Sequence, residues 1–333
     1  MILVTGGAGY IGSHCVLSLL KKGKRVVVFD NLSTGHFETI EHLRKFGYLE
    51  FIQGDLQNKS DINKVFDAFN IDSVIHFAAL SLVGESVENP QKYYLNNVCG
   101  TINLLESMLK NNVKKIVFSS TAATYGEPKY SPIDEKHPQE PINPYGQSKL
   151  IIEKILDDYN KAYNLRSVRL RYFNVAGADP DTNIGEWHNI ETHLIPNILK
   201  STFNNGKVFE IFGNDYQTKD GTCVRDYINI NDLIDAHILA LEYLNNGGKT
   251  DFFNLGTKNG NTVKEVFNAC EKICNTNIPL KLSARRAGDP SCLVADNSKV
   301  KEVLKWEPKR TLEDSIITAY NWEKKLQNQE IKC

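Results

Sequence analysis

Residues 3–30 constrain the fold of this chain more than any other stretch. A short apolar strand runs into Thr5-Gly6-Gly7-Ala8-Gly9-Tyr10-Ile11-Gly12, then into a helix carrying Val16, Leu17, Leu19 and Leu20 and closed by Gly23. A second strand, Val26-Val27-Val28-Phe29, delivers Asp30, 18 positions after Gly12. The first glycines permit a tight turn, the middle one lets backbone approach a pyrophosphate, and Gly12 lets helix pack against strand. The N–H groups and positive dipole end of the helix face the phosphates. Asp30 accepts hydrogen bonds from a ribose diol and repels a 2′-phosphate, which favours NAD over NADP. The glycines fit two registers, Gly7/Gly9/Gly12 and Gly6/Gly9/Gly12. Alone they are weak evidence; strand, helix, second strand and acid in register make the case.

Beyond Asp30 the alternation continues. Strand-like runs fall at Leu49–Gln53, Ser73–Ala79, Lys115–Ser120 and Val168–Phe173, with helical patterns between them that include Asp61–Phe69, Cys99–Lys110 and Ser148–Ala162. Such alternation implies parallel pairing, so the fold class is α/β: a Rossmann-type doubly wound parallel sheet over residues 1–175. The pattern weakens from Ala176 onward. The helix Asp232–Leu244 and strand Phe252–Leu255 are expected to return to the main sheet, so that residues 230–255 rejoin the cofactor domain. Residues 176–229 and 256–333 then form a smaller, partly discontinuous α/β substrate domain. Helical patterns at Val263–Cys274, Ser298–Leu304 and Leu312–Leu326 close the chain.

Bulk properties exclude several classes. A length of 333 residues suits one large α/β unit plus a smaller domain. Net charge is −1 with both signs interspersed, so neither a nucleic-acid nor a membrane partner is expected. The uncharged stretch Ile2–Leu20 lacks a basic flank and is broken by four glycines, unlike a signal peptide or membrane span. The seven cysteines are scattered and without metal-ligand spacing; Cys270 and Cys274 lie four apart with no matching pair, so no metal is expected. Idle thiols fit a reducing compartment, and the cytoplasm is the expected location.

Tyr145 and Lys149 lie four apart on the helix expected after the fifth strand, hence on one face. A phenol, with an ordinary pKa near ~10, is a poor base at neutral pH. A neighbouring ammonium and a cationic nicotinamide ring both favour phenolate and bring Tyr145 toward a working base. Thr121, at the end of the fifth strand, can share the proton network of a substrate oxygen, or can serve as a strand-end hydroxyl bonding local backbone.

At these residues the chain resembles the extended short-chain dehydrogenases/reductases, and among them the UDP-glucose (UDP-galactose) 4-epimerase family. The matching segments are Thr5–His14, Phe77-Ala78-Ala79, Val83–Ser86, Ser119–Gly126, Tyr145–Lys149, Arg171–Asn174, Phe212–Tyr216, Val224–Tyr227 and Arg285–Asp289, in order along nearly the whole chain. The register Gly6/Gly9/Gly12 is the spacing usual in that class. The resemblance implies NAD kept as a prosthetic group and UDP-glucose and UDP-galactose as substrates. Tyr145 removes the proton from the sugar O4 while NAD takes hydride from C4; the 4-keto sugar turns about its diphosphate link and receives hydride on the opposite face. Tyr145, Lys149 and Thr121 are the implied catalytic residues. The implied cofactor residues are Gly6, Gly9, Tyr10, Ile11, Gly12, Asp30, Asn31, Asp55, Leu56, Phe77, Ala78, Ala79, Ser81, Asn96, Thr121, Tyr145, Lys149 and Phe173. On the nucleotide-sugar side stand Thr121, Tyr145, Asn174, His193, Leu194, Glu210, Ile211, Phe212, Arg225, Arg286, Asp289 and Leu293, with Phe212 near the uracil. Arg225 and Arg286 suit a diphosphate anchor because guanidinium pairs bidentately with phosphate oxygens. Read singly, either arginine also suits a domain-bridging salt bridge, and Phe212 a core position. Homodimerisation is usual in the family, with Cys99–Lys110 and Ser148–Ala162 as candidate interface helices.

Two positions depart from the pattern. Ser81 stands where many members carry a lysine against the cofactor. Leu293 occupies the position that gates the sugar C2 pocket, where a large aromatic excludes an N-acetyl group and a small residue admits one; activity on UDP-N-acetylhexosamines is therefore open. Related 4,6-dehydratases place Asp-Glu directly after the threonine, whereas this chain has Ala122 and Ala123, which transfer no protons. UDP-glucuronate epimerisation or decarboxylation is less easily excluded. A non-catalytic NAD-sensing role has no need for Tyr145, Lys149 and Thr121 together.

Overall fold

The computed structural model describes residues 1–181, 183–203, 208–285 and 290–328. The first strands are β1 (Ile2–Thr5), β2 (Val26–Asp30), β3 (Leu49–Gln53), β4 (Ser73–His76), β5 (Lys115–Thr121) and β6 (Arg166–Tyr172). Those that follow are β7 (Asn174–Ala176), β8 (Phe209–Phe212), β9 (Val224–Asn229), β10 (Asp251–Leu255), β11 (Gly260–Thr262), β12 (Leu280–Ser283) and β13 (Cys292–Leu293). Seven strands form one sheet in the order β10-β6-β5-β4-β1-β2-β3, and every adjacent pair is parallel. The order 3-2-1-4-5-6 within it is that of two mononucleotide-binding halves, and its switch point lies between β1 and β4. The fold class expected from the alternation is the one observed.

Successive side chains on a strand point to opposite faces, and here both faces are covered. Val4, Val26 and Val28 pack with the helices Tyr10–Lys21 and Ile230–Asn245. Leu3, Val27, Phe29 and Val74 face the helices Lys59–Ala68, Gly100–Lys110 and Pro144–Tyr163. Each such aliphatic or aromatic side chain contributes roughly 1.5–3 kcal/mol on full burial. The remaining strands build two small sheets: β11-β9-β13 with β7 paired to β9, and the ribbon β12-β8. A separate core joins β9 to the helices Leu194–Phe203, Val263–Cys274 and Leu312–Gln327 through Ile198, Phe267, Cys270 and Ile316. Asn229 ends β9 and caps the next helix by accepting the Asn231 N–H at 2.9 Å, so the chain passes directly from the small sheet to the main one.

Several boundaries differ from the sequence pattern, and three of them have a local reason. β4 ends at His76 rather than Ala79, because the N–H groups of Phe77 and Ala78 both turn to the Thr5 carbonyl at 3.0 and 3.1 Å. The long helix starts at Pro144 rather than Ser148: Asn143 accepts the Gly146 N–H at 2.8 Å and proline occupies the first turn. Tyr145 thereby lies in the first turn of the helix. The helix Gly100–Lys110 is preceded by a π-helical stretch, Tyr94–Cys99, a feature that carries no hydrophobic period of its own.

Candidate active site

The carboxyl ends of the central strands open into a cavity of about 520 Å³. At its dinucleotide end the turn after β1 is shaped by two glycines. Gly6 has φ +73°, and a Cβ there would lie 2.6 Å from the Ala78 nitrogen. A Cβ on Gly12 would lie 2.0 Å from the Gly6 carbonyl oxygen. Both contacts exclude a side chain, as does the 2.7 Å approach of a Gly7 Cβ to Val28, and the positive φ falls at Gly6. A Cβ on Gly9 would meet nothing closer than 3.5 Å, and Gly9 caps the helix Tyr10–Lys21 without a side-chain bond. That combination leaves backbone donors and room for a diphosphate. Asp30 is 8% exposed; its Oδ2 accepts the Ala8 N–H at 3.0 Å and its Oδ1 the Leu32 N–H at 2.8 Å. Burial raises its carboxyl pKa, and those two bonds pull the other way. Next to it Asn31 Nδ2 donates to Asp55 Oδ2 at 3.1 Å. These groups fit a dinucleotide with a ribose diol. Every residue named above for the cofactor lines this cavity.

In the middle of the cavity stand Thr121, Tyr145 and Lys149. Thr121 Oγ1 accepts the Ala123 N–H at 3.1 Å, opening a short 3₁₀ turn over Ala122–Thr124. The local-backbone role and a place in the cavity therefore coexist. Burial drives the Tyr145 phenol well above its ordinary pKa; Tyr172 and Tyr93 add to this, and a hydrogen bond with Thr121 opposes it. Burial also pulls the Lys149 ammonium down to about 7, against the field of Glu153. Its Nζ donates to the Ser119 carbonyl at 2.8 Å and lies 4.8 Å from the centre of the Phe118 ring. The downward pull expected from Lys149 and a nicotinamide ring is, in the protein chain alone, supplied by Thr121.

Asn174, His193, Leu194, Arg225 and Leu293 also line the cavity. Arg225 is buried, and its Nη1 donates to the carbonyls of Val224 at 2.9 Å and Pro290 at 2.8 Å. Leu293 packs with Ala122, Tyr125, Ile133, Phe173 and Ala295. Glu210, Ile211 and Phe212 lie on β8, outside the described lining. Ile211 is 1% exposed in the smaller core, and Glu210 Oε1 accepts from Lys281 Nζ at 3.0 Å and from Ser283. Arg286 and Asp289 fall outside the described residues. The wall also includes residues that the sequence reading missed, among them Tyr172, His188, Ile142 and Tyr227. Tyr172 and Tyr227 belong to matching segments and could have been found there; His188 sits in a loop with no local signal.

His193 is half-exposed and hydrogen-bonds through Nδ1 to the buried Glu186, which His188 Nε2 approaches at 3.2 Å. Burial disfavours the His193 cation, but Glu186, then Glu191, raise its pKa to about 9. Among the described residues Glu186, His188 and His193 bring three ligand-type atoms within 4.8 Å of one another, and both imidazoles share the Glu186 carboxylate. No described helix is long and apolar enough to cross a membrane.

Fold and cavity together define a dinucleotide-dependent enzyme of the extended short-chain dehydrogenase/reductase class. A family profile described as GDP-mannose 4,6 dehydratase matches residues 3–318. A UDP-glucose 4-epimerase of Halalkalibacterium halodurans is 51% identical over 324 residues, covering 97% of this chain and 95% of that one. The crystal structure of UDP-glucose 4-epimerase from Bifidobacterium longum in complex with NAD⁺ and UDP is 40% identical with a TM-score of 0.93, over 98% and 99% of the two chains. The UDP-Glc/GlcNAc 4-epimerase of Campylobacter jejuni is 43% identical with a TM-score of 0.86, over 97% and 99%. The chain belongs to the UDP-glucose 4-epimerase family.

Proposed function

We propose that this protein interconverts UDP-glucose and UDP-galactose by reversible C4 epimerisation through a transient 4-keto sugar, with NAD held in the cavity. One observation carries the reading: Thr121, Tyr145 and Lys149 meet in the same cavity as the glycine turn and Asp30. When bound, NAD supplies the hydride acceptor and donor for the sugar C4. The work of the chain is to move one proton and hold the substrate. Tyr145 takes the O4 proton and returns it after the sugar has turned, with Thr121 beside it in the cavity; such general-base assistance is worth roughly 10²–10⁴-fold. Lys149 stabilises the phenolate when protonated. Arg225 and Arg286 hold the diphosphate, which anchors the nucleotide while the sugar stays free to rotate, and His193 lines the nucleotide-sugar side. Arg286, Asp289, Glu210, Ile211 and Phe212 complete the nucleotide side in this proposal, and the chain divides functionally at residues 175, 229 and 255.

Dehydration is disfavoured by the site itself. Ala122 and Ala123 stand on the cavity wall beside Thr121, where the added acid and base of that chemistry would be needed. A second substrate class is favoured by Leu293, whose leucine leaves more of the sugar pocket open than an aromatic ring would; UDP-N-acetylhexosamines are the proposed additional substrates. We also propose a cytoplasmic homodimer. The deciding test is proton NMR of the purified protein with UDP-galactose and no added nucleotide. UDP-glucose accumulating to a fixed ratio supports the reading; no conversion with NAD supplied, on this or the N-acetylated sugar nucleotides, overturns it.

A further inference from the structure

A buried charged network lies behind the cavity wall. Glu153 stands four residues beyond Lys149 and eight beyond Tyr145 on the same helix, and is 2% exposed. Its Oε1 accepts the Ser120 hydroxyl at 2.5 Å. Arg171 Nε lies 2.9 Å from that oxygen and 3.1 Å from Oε2, and Arg171 Nη2 also donates to Oε2. Arg171 Nη1 donates to the Tyr125 hydroxyl at 3.0 Å, which in turn donates to Asn254 Oδ1 at 2.6 Å. Ser120, Glu153, Arg171, Tyr125 and Asn254 are all absent from the described lining of the cavity. A carboxylate held so far from water is costly unless paired, and an apolar residue would fill the space without that cost. The charge therefore needs a reason.

The geometry supplies one. Ser120 stands between Ser119, whose carbonyl receives Lys149 Nζ, and Thr121, which lines the cavity together with Tyr145. We propose that Glu153 is a positioning residue for the epimerisation: through Ser120 it ties the end of β5 to the catalytic helix, and it supplies the negative charge that Lys149 faces along that helix. Of the other charged groups around the pair, Arg169 from β6 donates through Nη1 to the Glu153 carbonyl at 3.1 Å and to Asp157 Oδ1 at 2.7 Å. The remaining titratable groups are His76 from β4, Tyr172 from β6, Tyr93 from the helix Pro90–Tyr93, and His237, 3.1 Å from the Ser119 hydroxyl. Burial pushes His76 down to about 3 and His237 to about 4, and raises the Tyr93 and Tyr172 phenols, so all four are neutral at working pH. Arg171 is engaged with Glu153 itself. Glu153 is the charge that favours the ammonium form of Lys149.

The kinetic part of the proposal rests on the 4-epimerase reading, so a second readout is needed. Glu153→Gln keeps the shape and an oxygen for Ser120 but removes the charge; Ser120→Ala keeps the charge and cuts the tether. In [¹³Cε]lysine holoenzyme the Lys149 resonance should titrate about one pH unit lower in Glu153→Gln and stay in place in Ser120→Ala. With NAD retained, kcat for UDP-galactose should fall about tenfold or more in Glu153→Gln, with KM changed less than about twofold. Its alkaline limb should move to lower pH, because the ammonium is lost earlier. In Ser120→Ala kcat should fall with that limb unmoved. An unchanged Lys149 titration in Glu153→Gln overturns the proposal, as does a kcat within about twofold of the parent at every pH. If Glu153→Gln does not fold, Glu153→Asp decides: parental Lys149 titration with reduced kcat is expected, and parental kcat overturns the tether. A parent that turns over no UDP-galactose defeats the epimerase reading, while the lysine titration still judges the charge coupling.

Discussion

The Tyr10 hydroxyl donates to the Gly177 carbonyl at 2.6 Å, joining the start of the dinucleotide helix to the segment that follows β7. Further along that segment Lys21 Nζ reaches Asp181 at 3.2 Å and His36 stacks on Trp187 at 3.7 Å. Burial, then the charges of Glu186 and Glu191, hold the Tyr10 phenol well above its ordinary pKa, so it remains a donor. Tyr10→Phe leaves the carbonyl without that donor, at a cost of roughly 1–3 kcal/mol. We expect lower thermal stability and faster loss of NAD on gel filtration. Unchanged melting together with full NAD retention would show that the bond contributes nothing.

Tyr145→Phe keeps the ring and removes the proton acceptor. Turnover of UDP-galactose should drop by about 10²-fold or more while NAD stays bound. Thr121→Ala should cost less in turnover but more in stability, because Thr121 also receives the Ala123 N–H. A steady-state comparison of both variants, each checked for bound NAD by absorbance, tells the two roles apart; full activity in Tyr145→Phe would remove this residue from the mechanism.

The sequence shows the repeating part of the fold and hides the singular part. Asp30 stands at the end of β2, which reads as a continuous apolar stretch because it is buried on both faces, and the half-buried edge strand β3 lies where its run predicts. The start of the catalytic helix was legible in Asn143-Pro144, a cap followed by a helix-starting proline, yet apolar periodicity alone places it four residues late. The short strands β11 and β13 are two or three residues long, too few for a period to register. Glu186, Trp187 and His188 belong to a polar loop whose partners, such as His36, are remote in sequence, so nothing local marks them. The Glu153–Arg171 pair was hidden for a different reason: a charged residue inside an amphipathic helix reads as solvent-facing until its burial is seen.

Leu293→Tyr should narrow the substrate range. Leu293 borders the cavity and backs onto Phe173, so a larger ring has no room behind it and must extend toward the sugar. Turnover of UDP-N-acetylgalactosamine should fall by at least about tenfold relative to UDP-galactose, the discrimination that roughly 1–3 kcal/mol of steric mismatch provides. Competition between the two sugar nucleotides, followed by NMR, measures the ratio directly. Equal loss of both activities would defeat the gate.

The His193–Glu186 pair should leave a signature in the pH dependence of stability. With its folded pKa raised to about 9 from an ordinary 6.5, His193 binds its proton more tightly in the folded protein. The stabilisation is therefore complete below about pH 6.5 and disappears as pH rises toward and past 9. Glu186, whose pKa falls to about 2 because the two histidines outweigh its burial, stays ionised across that window and does not mask it. Urea unfolding of the parent and of His193→Asn should show a stability gap at pH 6 that closes by about pH 9.5. Because His193 lines the cavity, UDP affinity of the parent should also weaken above about pH 9, and the variant should lack that limb. A gap independent of pH would mean that His193 contributes packing rather than charge.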